Sequence, residues 1–95
     1  MLQSTGYIVA FMETQEGKSA NGHWMRGGLV IETGDEYPRK VAFTAFGEEK
    51  VQELNNHAIG DTVTVSFRPE SREYDGRWYT ELKIIKVANL TRQPR

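Results

Sequence analysis

Apolar residues in this chain recur mostly at every second position, the period of a strand with one buried face. The run Tyr7-Ile8-Val9-Ala10-Phe11-Met12 predicts a first strand, preceded by Gly6 and closed by the polar segment Glu13 to Asn21. Asn21-Gly22 is a turn dipeptide that opens a second strand, His23 to Thr33, in which Leu29 and Ile31 alternate with Val30 and Glu32. Gly27-Gly28 interrupts that strand and predicts a bulge or a sharp bend. After the turn Thr33-Gly34-Asp35-Glu36, Pro38 leads into a third strand, Arg39 to Phe46. Here Val41, Phe43 and Ala45 share one face, and Lys40, Ala42, Thr44 and Phe46 share the other. Gly47 ends the strand, and the period changes. Glu48 to Asn56 predicts the one helix, with acids at its start and Val51 and Leu54 as an i, i+3 apolar pair. Ile59-Gly60-Asp61 then turns into the clearest alternation of all, Val63, Val65 and Phe67 against Thr62, Thr64 and Ser66. A polar stretch, Arg68 to Asp75, ends at Gly76, and a last strand runs from Arg77 to about Val87.

Three strands, a short helix and two strands is the order of a five-stranded OB barrel, whose helix sits between strands 3 and 4. A meander barrel of the SH3 type is the structural rival, but it normally lacks a helix at this point. One domain over residues 1–90 is expected, with 91–95 as a disordered tail. The expected core holds Tyr7, Ile8, Phe11, Leu29, Ile31, Val41, Phe43, Val63, Val65, Phe67 and Leu82.

Charge alters the picture only locally. The formal net charge is −1, which is not the footprint of a strongly basic protein. Residues 61–95 hold seven basic and five acidic side chains, whereas residues 1–60 hold five and eight. Any binding electrostatics must therefore be a local patch on a mildly acidic protein. The chain has no cysteine, so disulfides and thiolate metal sites are excluded. No secretory pattern and no apolar run long enough to span a bilayer occur, so a soluble cytoplasmic protein is expected.

Three segments carry a resemblance. Val41-Ala42-Phe43-Thr44-Ala45-Phe46-Gly47 resembles the third strand of bacterial single-stranded-DNA-binding proteins, and Ile59-Gly60-Asp61-Thr62-Val63-Thr64-Val65 is similar to their entry into strand 4. Arg72-Glu73-Tyr74-Asp75-Gly76-Arg77-Trp78-Tyr79-Thr80-Glu81-Leu82 resembles the hairpin joining their strands 4 and 5. A small uncharacterised family of about this length, thought to have an OB fold and to be related to single-strand binders, looks closer still. It shares Gly-Asp-x-Val-x-Val-Ser-Phe and Ser-Arg-Glu-Tyr-[Asn/Asp]-Gly-Arg-Trp-Tyr-Thr. The resemblance covers residues 38–88 well and residues 1–37 in outline, and implies binding of single-stranded DNA, or less readily RNA. Gly27-Gly28 departs from the larger family, where a bulkier pair is expected.

Such binding needs rings on which bases stack and cations that follow the phosphates, with a stacked base worth about 1–3 kcal/mol. OB folds place that surface on strands 2 and 3 and on the 1–2 and 4–5 loops. Trp24 and Arg26 share the face of strand 2 opposite Leu29 and Ile31 if the strand is regular, leaving the indole for a base, for its own loop or a second subunit, or for an ordinary place in the core. Phe46 faces outward or packs under the helix, with Lys40 at the other end of its face. Arg72, Tyr74, Arg77, Trp78 and Tyr79 gather about the Asp75-Gly76 turn. Trp78 has the parity of Leu82 and Ile84, so it is the candidate core member and Tyr79 the outward one. The bland alternative is a hairpin held by aromatic and Arg pairs across its strands. Lys18, Arg39 and Arg68 are candidate phosphate contacts or plain surface charge.

Enzymatic chemistry has no support: His23 and His57 lack ligand spacing, and there is no phosphate loop, nucleophile elbow or paired carboxylate. The expectation is a sequence-tolerant binder without cofactor, metal or small-molecule substrate. Because one such fold covers only about 4–16 nucleotides, a homodimer or tetramer is expected as well. The rival is a protein-interaction or assembly module on the same fold.

Overall fold

Each predicted alternation becomes a strand in the computed structural model, which describes residues 1–20, 22–34 and 36–91. The strands are β1 (Leu2–Ser19), β2 (Gly22–Thr33), β3 (Lys40–Phe46), β4 (Thr62–Tyr74) and β5 (Arg77–Asn89). They close in the order β1-β2-β3-β5-β4, giving a five-stranded OB barrel. All neighbours are antiparallel except β3 and β5, which run parallel with Thr44 opposite Lys83. Strand β1 closes the ring by changing partner: Leu2 to Tyr7 pair with β4, and Gly6 to Ser19 pair with β2. A bulge at Val9, between the pairs Ile8–Ile31 and Ala10–Val30, gives β1 the bend this requires.

The core is the inward face of these alternations, with Ile8, Leu29, Ile31, Phe43, Val63 and Val65 fully buried. Val41, Phe67 and Leu82 pack around them, and the Phe43 and Phe67 rings meet at 5.0 Å in a tilted pair. Two expected core members are exposed instead. Tyr7 is next to Ile8 and so has the opposite parity; its hydroxyl donates to Glu32 on the outer face. Phe11 sits opposite Leu29 at the rim, where its ring lines an open cleft with Met12, Met25, Val51 and Leu54. The helical segment Glu48–Asn56 appears as α1 (Glu48–Glu53) followed by one 3-10 turn, and plugs the barrel with Val51 and Leu54. The Lys50 ammonium donates to the Ile85 carbonyl and ties α1 to β5.

The two longest departures from expectation are ribbons. The polar segment after Met12 continues β1 to Ser19, and the polar stretch from Arg68 continues β4 to Tyr74. Both project beyond the barrel as two-stranded arms, where neither face has a core to cover, so polar residues and exposed aromatic rings share both. The bend expected at Gly27-Gly28 is also placed differently. Met12 pairs with Gly28 and Gln15 with Arg26, so the extra residue is in β1, opposite Gly27, and β2 pairs with β3 without a register shift. Asn21 and Asp35, each part of a predicted turn, lie outside the described residues. Of the predicted tail, Thr91 is tied back, accepting from the Thr62 amide at 2.8 Å and donating its own amide to Asn89, whereas residues 92–95 lie outside the described ones.

The Gly60-Asp61 turn is held by a buried carboxylate. Asp61 Oδ2 accepts from the Ala58 amide at 3.0 Å and from Asn89 Nδ2 at 2.9 Å, joining the start of β4 to the end of β5. Hydrogen bonds to a charged acceptor are worth about 1.5–3 kcal/mol each, and the donors left behind would be partly buried. Asp61→Ala is expected to cost about 2 kcal/mol in urea unfolding with an unchanged slope; a loss below about 0.5 kcal/mol would show the turn to be held by other contacts. Among the described residues, no helix is long and apolar enough to cross a membrane.

Candidate nucleic-acid interface

One outer face of the barrel gathers most of the candidate residues, and pairing register explains how. Arg26 on β2 stands directly opposite Phe46 on β3, and Trp24 follows two positions along β2 on the same side. Across the ring, the β4–β5 arm has one face made of the opposed pairs Arg68–Lys83, Glu70–Glu81, Arg72–Tyr79 and Tyr74–Arg77. Phe46 is where the two halves meet. It lines one cleft with Trp24 and Arg26, and a second with Arg72, Tyr79, Glu81 and Lys83. Tyr79 and Arg72 continue into a third with Tyr74. The rings of Trp24, Phe46, Tyr79 and Tyr74 thus follow one another along a continuous path.

Phe46 takes the outward of its two predicted positions and is 40 % exposed. Two cations lie over its ring, the Arg26 guanidinium carbon at 5.2 Å and Lys83 Nζ at 4.7 Å from the centroid. Each cation is also held by a carboxylate: Arg26 Nη2 donates to Glu81 Oε1 at 2.9 Å, and Lys83 Nζ to Glu70 Oε2 at 3.1 Å. Glu70, Glu81 and Lys83 were absent from the predicted set. The alternation Tyr79, Glu81, Lys83 puts Glu81 and Lys83 on the face of Tyr79, but their meeting with Phe46, and that of Glu70 on β4, depends on closure of the barrel.

Trp24 takes the second of its predicted settings, packing on its own arm. It pairs with Gly17 across the β1–β2 arm, and a Cβ at Gly17 would lie 2.8 Å from its Cζ2. The indole therefore lies flat over bare backbone while its other side stays open, a seat that only glycine provides. At the arm tip, Asp75 and Gly76 both have positive φ, 53° and 78°, which fits a two-residue type I′ turn. This turn sets the register that brings Arg72, Tyr74, Arg77 and Tyr79 to one side.

Trp78 does not join them. Its parity matches Leu82 and Ile84, as expected, but it is 70 % exposed, against 48 % for Tyr79. The arm carries position 78 past the end of the barrel, so the inward side there has nothing to pack against. Lys40 also stands apart, at the far end of β3, six residues or about 20 Å from Phe46. Arg68 joins the face, opposite Lys83, whereas Lys18 is on the β1–β2 arm opposite His23, and Arg39 precedes β3 beside Thr33. Among the described residues, no three His, Asp or Glu side chains are grouped as a metal site.

Comparison with solved structures finds the same fold in other proteins. A mitochondrial single-stranded DNA binding protein from S. cerevisiae superposes with a TM-score of 0.72 at 20 % identity, covering 95 % of this chain and 94 % of its own. A small single-stranded DNA-binding protein from Streptomyces coelicolor gives 0.58 at 18 % identity, covering 99 % and 95 %. The SSB domain of a Synechococcus sp. protein gives 0.62 at 17 %, covering 90 % of each chain. At these identities the likeness is one of fold. No curated protein matches the chain. The family model described as Domain of unknown function (DUF3127) matches residues 3–88, and the chain belongs to that family.

Proposed function

We propose that this protein binds single-stranded DNA without strong sequence preference, along the path from Trp24 through Phe46 and Tyr79 to Tyr74. The observation that carries this reading is the continuity of four exposed rings with cations interleaved, Arg26 and Lys83 at Phe46 and Arg72 beside Tyr79 and Tyr74. Every base has a π-face, so stacking on such a path tolerates any sequence, and the cations between the rings fall where a backbone would pass. Arg77, opposite Tyr74 at the tip, extends the cationic track. The names of the three similar structures favour DNA as the ligand class, and nothing on this face points to bond-making chemistry or a cofactor. A single barrel covers few nucleotides, so the working form is taken to be a homo-oligomer.

The test is a titration with oligo-dT of about thirty nucleotides, followed by tryptophan fluorescence at low and moderate salt. Saturable quenching is expected, fading as salt rises with a slope of about 0.7 per phosphate neutralised. No quenching at micromolar protein and low salt would overturn the reading. One observation favours a second reading, an assembly module: Trp78 stands open on the opposite side of the arm from Tyr79. Self-association insensitive to oligo-dT and lost in Trp78→Ala would support that reading.

A further inference from the structure

The centre of the proposed face is electrically self-satisfied. Arg26 and Lys83 lie over the Phe46 ring, and both are occupied, by Glu81 at 2.9 Å and Glu70 at 3.1 Å. The four charges cancel. By contrast, no described carboxylate forms an ion pair with Arg72 or Arg77 farther along the arm. Nor are the glutamates placed for the stability of the arm alone. Glu70 and Glu81 are directly opposite each other in the β4–β5 ladder, where two like charges repel. What offsets that repulsion is that each reaches a different cation next to the ring.

Resting on the strand-binding reading above, we propose that Glu70 and Glu81 are built-in competitors of phosphate. In the free protein they hold the two cations beside Phe46. A bound strand must take those cations over, which leaves the two carboxylates facing each other uncompensated. Binding at Phe46 is therefore an exchange of one anion for another, whereas binding at Arg72 and Arg77 is a plain addition. The carboxylates thus set the affinity below what the cations would give alone, and they reduce the number of counterions released per strand. A strand held this way is easily displaced, which suits a protein that must give up its ligand.

The experiment compares Glu70→Gln, Glu81→Gln and the double variant with wild type in the oligo-dT titration, at several salt concentrations. Glutamine keeps the volume and removes the charge. Exposed ion pairs are weak, so each substitution is expected to tighten binding about two- to five-fold at moderate salt, and the pair about five- to twenty-fold. The salt dependence should steepen by up to about 0.7 for each cation released to the strand. Glu53→Gln is the control: it makes the same change in net charge on α1, in a cleft that shares no residue with this face. Should Glu53→Gln tighten binding as much, net charge would explain the gain and the proposal would fail. Should wild type bind while Glu70→Gln and Glu81→Gln bind equally or more weakly, the glutamates would be positioning the cations, and the competitor role would fall while the binding reading stood. Absence of binding by wild type and variants alike would overturn both. Thermal melting of each variant confirms that folded proteins are being compared.

Discussion

Replacing Trp24 and Phe46 together by alanine is expected to weaken oligo-dT binding by roughly one hundred- to one thousand-fold while leaving the fold in place. Each ring is partly exposed, and a stacked base is worth about 1–3 kcal/mol, so two losses fall in this range. Both rings lie outside the core, Trp24 over Gly17 and Phe46 beside Arg26 and Lys83, so neither removal opens an internal cavity. Single variants should each lose about twenty- to fifty-fold, and their effects should add only in part, because Arg26 stands between the rings and touches Phe46. The measurement is competition against labelled oligo-dT, since removing Trp24 changes the fluorescence signal itself. An affinity within three-fold of wild type would mean that the strand, if bound, runs elsewhere on the barrel.

The largest expected effect on stability comes from a methyl group. A Cβ at Gly28 would lie 2.2 Å from the Phe43 carbonyl oxygen and 2.6 Å from Met12 Cε. Met12 can turn away, but Phe43 is a fully buried core residue whose backbone belongs to β3, so β2 and β3 must separate. Gly28→Ala is expected to cost about 3 kcal/mol, at the upper end for overpacking, and to lower Tm by roughly 12–24 °C for a domain of this size. Gly27→Ala, one residue away, is the matched contrast. Its Cβ would meet Thr14, Val51 and Leu54 at 3.4–3.7 Å, which is ordinary contact, so a change within about 1 kcal/mol is expected. Equal effects at the two positions would contradict this account of the dipeptide.

That dipeptide also marks how far sequence reading reaches. Two adjacent glycines signalled an irregularity correctly, but the irregular residue is across the ladder in β1, and what Gly28 provides is close approach of two strands. The barrel itself was legible because alternation reports a buried face directly: Leu29, Ile31, Phe43, Val63 and Val65 were all read as core and are fully buried. Alternation fails where no core lies below. The arms of β1 and β4 therefore show in the sequence only as polar stretches, and Trp78 has a core parity without a core to fill. Tyr7 and Phe11 were assigned by residue type, although Tyr7 neighbours Ile8 and Phe11 lies beyond the bulge at Val9. The candidate face was half visible. Its rings stand out in any sequence, but Lys83, Glu70 and Glu81 join Phe46 only through ring closure between strands far apart in the chain, which local pattern does not report.

That closure is made at one parallel joint, where Thr44 on β3 stands opposite Lys83 on β5. Parallel pairing is the slightly weaker kind, so this joint is the natural place for the barrel to breathe. Lys83 belongs both to the joint and to the Phe46 ring. A strand that grips Phe46 and Lys83 together would staple β3 to β5 from outside. Occupancy of the face and closure of the barrel then become one equilibrium, and the ligand acts as a sixth element of the fold.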